Sequence, residues 1–226
     1  TVCQEAKCPN RAECYARGTA TFLIMGDICT RHCKFCSINH GHPHKLDPSE
    51  PDKIVSAVKS LGLQHVVITS VTRDDLSDGG ASVFAEIVYS LREELPKITI
   101  ELLIPDLKGD RKALDIVFDS TPDILNHNLE TVPSLYSEIR PQAQYERSLE
   151  VLKYASSKNL IPKSGLMVGL GESISEVLAV LRDLRKNGCR IVTIGQYLQP
   201  SASQLSLKEY ITPEIFSMYS KKGKEI

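Results

Sequence analysis

The segment Cys29-Thr30-Arg31-His32-Cys33-Lys34-Phe35-Cys36 places three thiols within eight residues, with three and then two residues between them. Thiolates at this spacing can wrap around one metal centre and leave a fourth coordination position open, which a reactive metal site requires. The ferredoxin patterns close their clusters with four cysteines, so they do not match this segment. A zinc knuckle or a structural thiol cluster is the alternative interpretation.

The other cysteines strengthen the metal interpretation. Six of the seven cysteines lie in the first 36 residues, whereas a disulfide scaffold would spread them along the chain. We therefore expect metal ligands in a reducing compartment, and a protein of the cytoplasm or an organelle matrix. Cys3, Cys8 and Cys14 form a second triplet, also one ligand short, and the two triplets together imply two clusters. Cys189 lies in a predicted helix-to-strand turn, where we expect a packed thiol.

The length and the net charge of the chain limit the kinds of partner and of architecture that we expect. The chain has 226 residues and a formal net charge of -1, which fits one core and gives no sign of nucleic acid or an anionic membrane surface as partner. We find no apolar run of about 18 residues and no signal-peptide pattern, so no membrane association is expected. Because the chain begins at Thr1, we expect that a natural start has been trimmed, and targeting information with it.

Hydrophobic patterning predicts an α/β fold with a parallel sheet. Apolar runs alternate with helical periodicity, and regular alternation of this kind indicates right-handed crossovers. The predicted strands are residues 21–25, 65–70, 98–104, 124–129, 163–169 and 191–198. Six units favour a partial (β/α)6 TIM-like barrel, with a doubly wound sheet as the alternative. We expect an N-terminal cysteine-rich extension over residues 1–18 and the barrel over residues 19–226.

Local signals mark the ends of several predicted helices. The predicted helices cover residues 81–95, 111–118 and 145–158, and others end at Asn187 and begin near Pro213. Ser49, followed by Pro51, predicts a capped helix start. Ser173 and Glu176 have the spacing of a capping box.

Polar residues follow the predicted strands at their carboxyl ends. In both candidate folds these ends meet on one rim, which is where functional residues gather. The polar segments are 69–75, 126–130, 169–172 and 196–197. Arg73, Asp74 and Asp75 are site candidates without assigned roles, and a salt-linked loop is the alternative for them. The histidines at 40, 42 and 44 are either metal ligands or, as we favour, part of a polar loop.

The cysteine segment resembles the signature of the radical S-adenosylmethionine (SAM) enzymes, including the aromatic residue before its last cysteine. Both triplets together, along nearly the whole chain, resemble the lipoyl synthase family. The segments that carry this resemblance are residues 2–14, 26–36, 69–80, 126–131, 139–149, 165–172 and 196–200. The resemblance implies that Cys29, Cys33 and Cys36 hold one [4Fe-4S] cluster whose open iron binds SAM. It implies an auxiliary [4Fe-4S] cluster on Cys3, Cys8 and Cys14.

The resemblance also implies the reaction. SAM would be cleaved to methionine and a 5′-deoxyadenosyl radical, which removes hydrogen from C6 and C8 of an octanoyl chain on a protein lysine. The auxiliary cluster would be consumed as the sulfur source. Unactivated C–H bonds cannot be attacked by acid–base groups, so a cofactor must supply this chemistry. The implied partners are an octanoylated lipoyl-carrier protein (glycine cleavage H protein or 2-oxoacid dehydrogenase E2 lipoyl domain) and an electron donor such as flavodoxin or ferredoxin.

Several residues are implied to contact SAM. Asn128 and Glu130 resemble a biotin synthase segment that holds the ribose, although Glu replaces Asp here. Arg147 matches an arginine that meets the SAM carboxylate, with a solvated helix charge as the alternative. Phe35 is implied to support the adenine mainly through its backbone. The full set of candidate cofactor contacts is Phe35, Thr69, Asn128, Glu130, Arg147, Glu172 and Tyr197.

One departure from the family pattern concerns the auxiliary cluster. The family takes a fourth ligand from a serine in an Arg-Ser-Ser-Tyr segment near the C-terminus, and Ser156-Ser157, inside a predicted helix, does not match it. The fourth ligand of the auxiliary cluster is therefore unassigned. Whether this chain completes the reaction is left open by the sequence. Another radical SAM sulfur-inserting enzyme, biotin synthase-like or methylthio-transferring, is an alternative, as is a zinc-bound interaction module without catalysis.

Overall fold

The computed structural model describes Cys8 and residues 10–226. In this part of the chain a six-stranded parallel sheet organises the fold, and two short strands pair separately. The main strands are β1 (Thr19–Ile24), β4 (His65–Ser70), β5 (Thr99–Leu103), β6 (Ile124–Asn126), β7 (Ile161–Val168) and β8 (Ile191–Gln196). The short pair is β2 (Ile28–Cys29) with β3 (Asn39–His40). Each predicted strand is therefore present; residues 65–70 match β4, and the other five strands have one or both ends shifted by one to three residues.

The order of the strands decides between the two candidate folds. Neighbours in the sheet follow the chain in the order β1-β4-β5-β6-β7-β8, with no reversal. A doubly wound sheet reverses its order at a switch point, whereas a barrel topology winds in one direction. Register agrees with this, since Leu23 pairs with Thr69 and Gly165 with Thr193, both in parallel. The predicted α/β fold with six β/α units is confirmed.

Helices follow the strands as the periodicity predicts. They are α1 (Arg11–Ala16), α2 (Glu50–Ser60), α3 (Ala81–Glu94), α4 (Arg111–Asp119), α5 (Tyr136–Ile139), α6 (Tyr145–Ser157), α7 (Ile174–Lys186) and α8 (Pro213–Glu225). The capping box of Ser173 and Glu176 is present at the start of α7. Ser49 lies at the cap position of α2 but its hydroxyl makes no cap hydrogen bond, and it donates to Asp47 at 2.6 Å instead. The predicted Ser49 cap is wrong in that respect, because the nearby carboxylate competes for the hydroxyl.

The chain divides into two compact units. The first unit runs through Arg31 and continues with Ile38–Leu125. Its strands β1, β4 and β5 pair in parallel, and α3 contacts both α2 and α4. Alternate strand residues such as Ile68 and Leu102 are fully buried, as is Phe84 on α3. Burial of these apolar side chains is the main source of stability of this unit.

The second unit consists of His32–Ser37 and Asn126–Ile226. Its core includes Leu129, Leu152, Leu166 and Leu184, all buried. Cys189 belongs to this core, with its Sγ 3.3 Å from the carbonyl oxygen of Ile191. Burial raises the pKa of the Cys189 thiol to about 11. The predicted packed thiol is confirmed.

Among the described residues, none of the helices combines the length and the apolar character needed to cross a bilayer.

Candidate cofactor site

The first part of the cysteine loop (residues 29–36) is anchored through the sulfur of Cys29. The backbone N–H groups of Thr72 and Arg31 donate to Cys29 Sγ at 3.2 Å and 3.4 Å. Backbone N–H donors of this kind are typical partners of a cysteine sulfur that binds a metal cluster. Thr72 follows β4, so the carboxyl end of that strand supplies one of these donors.

Thr30 ties the same part of the loop to the residues after β4. Its N–H and its hydroxyl both donate to the carbonyl oxygen of Thr72, at 3.0 Å and 2.9 Å. The hydroxyl in turn accepts a hydrogen bond from the N–H of Asp74 at 3.0 Å. These bonds fix the backbone on both sides of Cys29.

Arg31 forms a buried charge cluster with two carboxylates. Its Nε lies 2.7 Å from Asp74 Oδ2, and its Nη2 lies 2.7 Å from Asp106 Oδ1. Asp106 is fully buried and Arg31 nearly so. Burial alone would lower the pKa of Arg31, but the hydrogen bonds and charges of Asp74 and Asp106 outweigh it and raise this pKa. The guanidinium therefore stays charged at any physiological pH.

The residues after β4 form a salt-linked loop, the alternative interpretation of the Arg73–Asp75 segment. Arg73 pairs with Asp75 at 2.8 Å and donates to the carbonyl oxygen of Met25 at 3.3 Å. Asp74 pairs with Arg31, as described above. Thr69, near the end of β4, already donates its hydroxyl to the carbonyl oxygen of Leu103 at 2.9 Å. Its predicted contact with a cofactor remains a prediction.

The second part of the cysteine loop, His32–Ser37, is held mainly by backbone hydrogen bonds. Lys34 N–H donates to the carbonyl oxygen of Ile139 at 3.0 Å, and Leu205 N–H donates to that of Lys34 at 2.9 Å. Cys36 N–H closes a turn onto Cys33 at 3.1 Å. The N–H of His32 donates to Gln142 Oε1 at 2.7 Å.

Phe35 and Tyr197, two predicted cofactor contacts, lie in one apolar cluster. Phe35 packs against the buried side chains of Ile139, Leu170 and Tyr197. The Tyr197 hydroxyl donates to the carbonyl oxygen of Leu205 at 2.7 Å. The aromatic residue of the cysteine loop is thus anchored in the core of its own unit.

Asn128 has a polar group available to a ligand. Its Oδ1 is buried and has no hydrogen-bond partner among the described residues. Buried amide oxygens normally accept a hydrogen bond, so a buried oxygen without one indicates a missing partner such as a ligand. A Cβ placed on Gly165 would lie 2.7 Å from this Oδ1, so only glycine leaves room for the amide there.

Glu130 is held in a strained backbone conformation beside Asn128. Its φ is +68°, which costs about 1 kcal/mol or more for a residue with a side chain. The backbone is fixed on both sides, because Glu130 N–H donates to Gly165 O at 3.0 Å and Met167 N–H donates to Glu130 O at 2.9 Å. Desolvation raises the pKa of the Glu130 carboxyl, while the charge of Arg140 and a hydrogen bond from Asn128 act against that rise.

This geometry also explains why the fourth predicted strand is short. The prediction extended it to Leu129, but β6 ends at Asn126. Glu130 rejoins β7 only through an isolated bridge to Leu166. The left-handed backbone at Glu130 interrupts regular pairing, and such strain is typical of functional sites.

The remaining predicted contacts lie elsewhere in the second unit. Glu172 is buried, and its two carboxylate oxygens accept hydrogen bonds from Gly169 N–H at 2.6 Å and Leu170 N–H at 2.9 Å. The Glu172 side chain therefore holds the loop of residues 169–172, to which it belongs. Arg147 lies in the first turn of α6 and is half-buried. The structure thus brings together Asn128 with Glu130, and Phe35 with Tyr197.

The cysteine side chains supply the candidate donors for a metal site. Within the described part of the chain, no three Cys, His, Asp or Glu side chains are arranged to hold a metal ion. Cys29, Cys33 and Cys36 are nevertheless half-buried and outside any disulfide, and Cys29 Sγ already receives two N–H donors. These donors fit an iron–sulfur cluster. Of the second triplet, Cys8 and Cys14 are free thiols, and Cys3 lies outside the described residues.

Comparison with known proteins identifies the class. A family model described as "Radical SAM superfamily" matches residues 23–195. Two solved structures share the fold at low sequence identity. Methylornithine synthase (PylB) has a TM-score of 0.69 at 17% identity and covers 92% of this chain and 62% of its own. HydG, a maturase of the [FeFe]-hydrogenase, has a TM-score of 0.73 at 13% identity and covers 91% and 48%. The chain is a member of the radical SAM superfamily.

More similar relatives narrow the class further. The lipoyl synthase of Caldanaerobacter subterraneus subsp. tengcongensis is 53% identical over 99% of this chain and 79% of its own. Those of Rubrobacter xylanophilus and Leptospira interrogans serovar copenhageni are 53% and 52% identical over the whole of this chain, and over 71% and 75% of their own. The chain belongs to the lipoyl synthase family, and it is a radical SAM sulfur-inserting enzyme that uses [4Fe-4S] clusters and SAM.

Sequence reasoning missed several residues that organise this site. It did not assign the buried charge cluster of Arg31 and Asp106. It also gave no role to Arg140 or Gln142. Arg31 and Arg140 both lie in segments that carried the family resemblance, so the signal was present as a motif. Only the fold shows which carbonyls and carboxylates these arginines reach.

Proposed function

We propose that this chain inserts two sulfur atoms at C6 and C8 of an octanoyl group carried on a lysine of a lipoyl-carrier protein. The observation that carries the proposal is the environment of Cys29, whose sulfur accepts two backbone N–H groups in a loop with two further thiols. The buried pairing of Arg31 keeps the backbone beside Cys29 in place. Cys29, Cys33 and Cys36 would hold the radical SAM cluster.

The residues that we assign to SAM act by binding and orientation. The cluster and SAM, when bound, supply the radical that removes hydrogen from unactivated carbon. Asn128 Oδ1 is buried and has no hydrogen-bond partner within the described part of the chain, so it would accept from one ribose hydroxyl, and the Glu130 carboxylate would accept from the adjacent hydroxyl. Arg147 offers a guanidinium to the carboxylate of SAM. Phe35, packed on Tyr197, positions the loop backbone beside the adenine.

The remaining candidate contacts support these residues. Thr69 and Glu172 already bond backbone groups near the carboxyl ends of β5 and β7, so their part is to hold those strand ends in shape. A site that excludes water protects a radical from unwanted hydrogen donors.

The N-terminal arm, residues 1–18, would carry the auxiliary cluster. Cys3, Cys8 and Cys14 supply its thiolates, and this cluster serves as the sulfur donor. Cys14 lies in α1, which ends three residues before β1 begins. The arm therefore joins the barrel domain, residues 19–226, directly at its first strand.

The partners follow from the reaction. The substrate protein is an octanoylated glycine cleavage H protein or the lipoyl domain of a 2-oxoacid dehydrogenase E2. A flavodoxin or ferredoxin supplies the electron, and the reaction takes place in the cytoplasm or an organelle matrix. The formal net charge of -1 gives no support for a nucleic-acid partner.

Cluster content and product formation test the proposal. The chain is reconstituted anaerobically, iron and acid-labile sulfide are measured with Mössbauer spectra, and octanoyl carrier protein is then assayed. Two clusters correspond to about eight irons per chain. Cys33→Ala is expected to abolish SAM cleavage and leave the auxiliary cluster, whereas Cys8→Ala keeps SAM cleavage and loses sulfur insertion.

Cys189→Ala is the matched control, because Cys189 is a buried core thiol. It should keep the full iron content and the product. Zinc without iron in the parent protein would overturn the radical mechanism. Lipoyl product from Cys8→Ala would overturn the assignment of the sulfur donor.

A further inference from the structure

Arg140 has a buried guanidinium directed at the backbone of the ribose-binding segment. Its Nη1 donates to the carbonyl oxygen of Asn128 at 2.9 Å and to that of Leu129 at 3.1 Å. These carbonyls belong to the two peptide groups that separate Asn128 from Glu130. Holding both of them fixes the spacing between the two side chains that we assign to adjacent ribose hydroxyls.

Tyr136 holds Arg140 in turn. The same Nη1 donates to Tyr136 Oη at 2.9 Å, and the guanidinium carbon lies 5.4 Å from the centroid of the ring. Tyr136 Oη donates to Ser148 Oγ at 3.2 Å, and this oxygen is 3.0 Å from His127 Nε2. All of these side chains are buried. The network returns to His127, the residue before Asn128, so it holds this segment at its start as well as at the carbonyls of Asn128 and Leu129.

The same short stretch also holds the cysteine loop. Ile139, next to Arg140, accepts the N–H of Lys34 at 3.0 Å, and Gln142 accepts that of His32 at 2.7 Å. Residues 136–142 therefore contact both the loop that carries Cys33 and the segment that carries Asn128. A cluster and a ribose on the same SAM molecule need a fixed distance between these two segments.

We propose that Arg140 is a positioning residue for SAM, and that residues 136–142 set the distance between the second part of the cysteine loop, His32–Ser37, and the Asn128–Glu130 segment. This inference rests on the proposed function, since it takes the assignment of Asn128 and Glu130 to the ribose as given. Lysine is not expected to replace Arg140 fully, because its flexible stem does not hold the ammonium at the position where the rigid guanidinium places Nη1.

Arg140 has a second effect through its charge. The ionised Glu130 carboxylate is a stronger acceptor for a ribose hydroxyl than the protonated acid is, and desolvation raises its pKa while the charge of Arg140 acts against that rise. Tyr136 is the other titratable group near this carboxyl, and it is neutral because burial raises its own pKa. SAM binding should therefore weaken as the pH falls through the pKa of Glu130. Removal of the Arg140 charge should raise that pKa and move the midpoint of binding to higher pH.

SAM affinity of the reconstituted full chain, measured by equilibrium dialysis between pH 5 and 9, tests the inference. Arg140→Gln is expected to raise the Kd at least about tenfold, the usual effect of losing a buried charged hydrogen bond. Its pH midpoint should move upward. Arg140→Lys should weaken binding while keeping the midpoint of the parent protein, because the charge remains. Arg182→Gln, on an exposed face of α7, is the matched control.

Iron content per chain is measured for each variant, so that a folding defect is recognised. Should Arg140→Gln not fold, Tyr136→Phe removes only the phenol oxygen and should weaken SAM binding in the same direction. A Kd within twofold of the parent in a variant with full iron would overturn the inference. Failure of the proposed function gives a different result, namely a parent protein that binds SAM with full iron and forms no lipoyl product.

Discussion

The two parts of the cysteine loop are held by different kinds of interaction. In the first unit, Cys29–Arg31 depends on charge, because Arg31 is buried between Asp74 and Asp106. In the second unit, His32–Ser37 depends on backbone hydrogen bonds to Ile139 and Leu205. Buried charges stabilise only while every partner is present, whereas a backbone bond survives most side-chain substitutions. The first part should therefore be much more sensitive to mutation than the second.

The largest expected effect is on the charged side of this comparison. Asp106→Asn leaves Arg31 buried with Asp74 as its remaining carboxylate, and the loss of one buried charged hydrogen bond costs about 3 kcal/mol. We expect the free energy of unfolding to fall by that amount in urea titrations. Asp52→Asn, an exposed carboxylate on α2, is the control and should change little. If the free energy of unfolding fell by less than about 1 kcal/mol in Asp106→Asn, the two parts of the cysteine loop would not differ in their sensitivity to mutation.

An intermediate effect is expected where the second unit depends on close packing. Gly165→Ala brings a Cβ to 2.7 Å from Asn128 Oδ1, so the amide must move. Overpacking of this kind costs about 1–3 kcal/mol, and SAM affinity should fall with it. Gly195→Ala on the neighbouring strand β8 is the matched control, because a Cβ at Gly195 meets nothing within 4 Å. Equal thermal midpoints and SAM affinities for the two variants would contradict the tight fit at Gly165.

The smallest effect is expected on the backbone-held part. Gln142→Ala removes an exposed hydrogen bond to His32 N–H and should cost no more than about 1 kcal/mol. Hydrogen exchange gives the sharper measurement, because the His32 amide should exchange faster while the Lys34 amide, bonded to Ile139, keeps its protection. Faster exchange at both amides would mean that the side chain of Gln142, and not the backbone, holds this part of the loop.

Local sequence patterns predicted most of the elements correctly. The strand at His65–Ser70 and the capping box at Ser173 agree with the structure residue by residue. Both depend on interactions within a few residues, which periodicity and capping chemistry describe well. The errors lie where distant groups compete, as at Ser49, whose hydroxyl bonds Asp47, and at Glu130, whose backbone is set by β7.

The sequence alone determined the class of chemistry. Two cysteine triplets and the segments at the strand ends were sufficient to indicate a radical SAM enzyme of the lipoyl synthase family, because thiolate spacing is a local property of the chain. The same reading left Arg31, Asp106 and Arg140 without roles.

Only the tertiary structure assigned those roles. Arg31 and Asp106 are 75 residues apart and meet because β1, β4 and β5 are neighbours in the sheet. Arg140 bonds the carbonyls of Asn128 and Leu129, and no side-chain pattern records which carbonyls are free to accept. Long-range pairing of buried polar groups depends on where the chain returns, which is a property of the fold and not of any single segment.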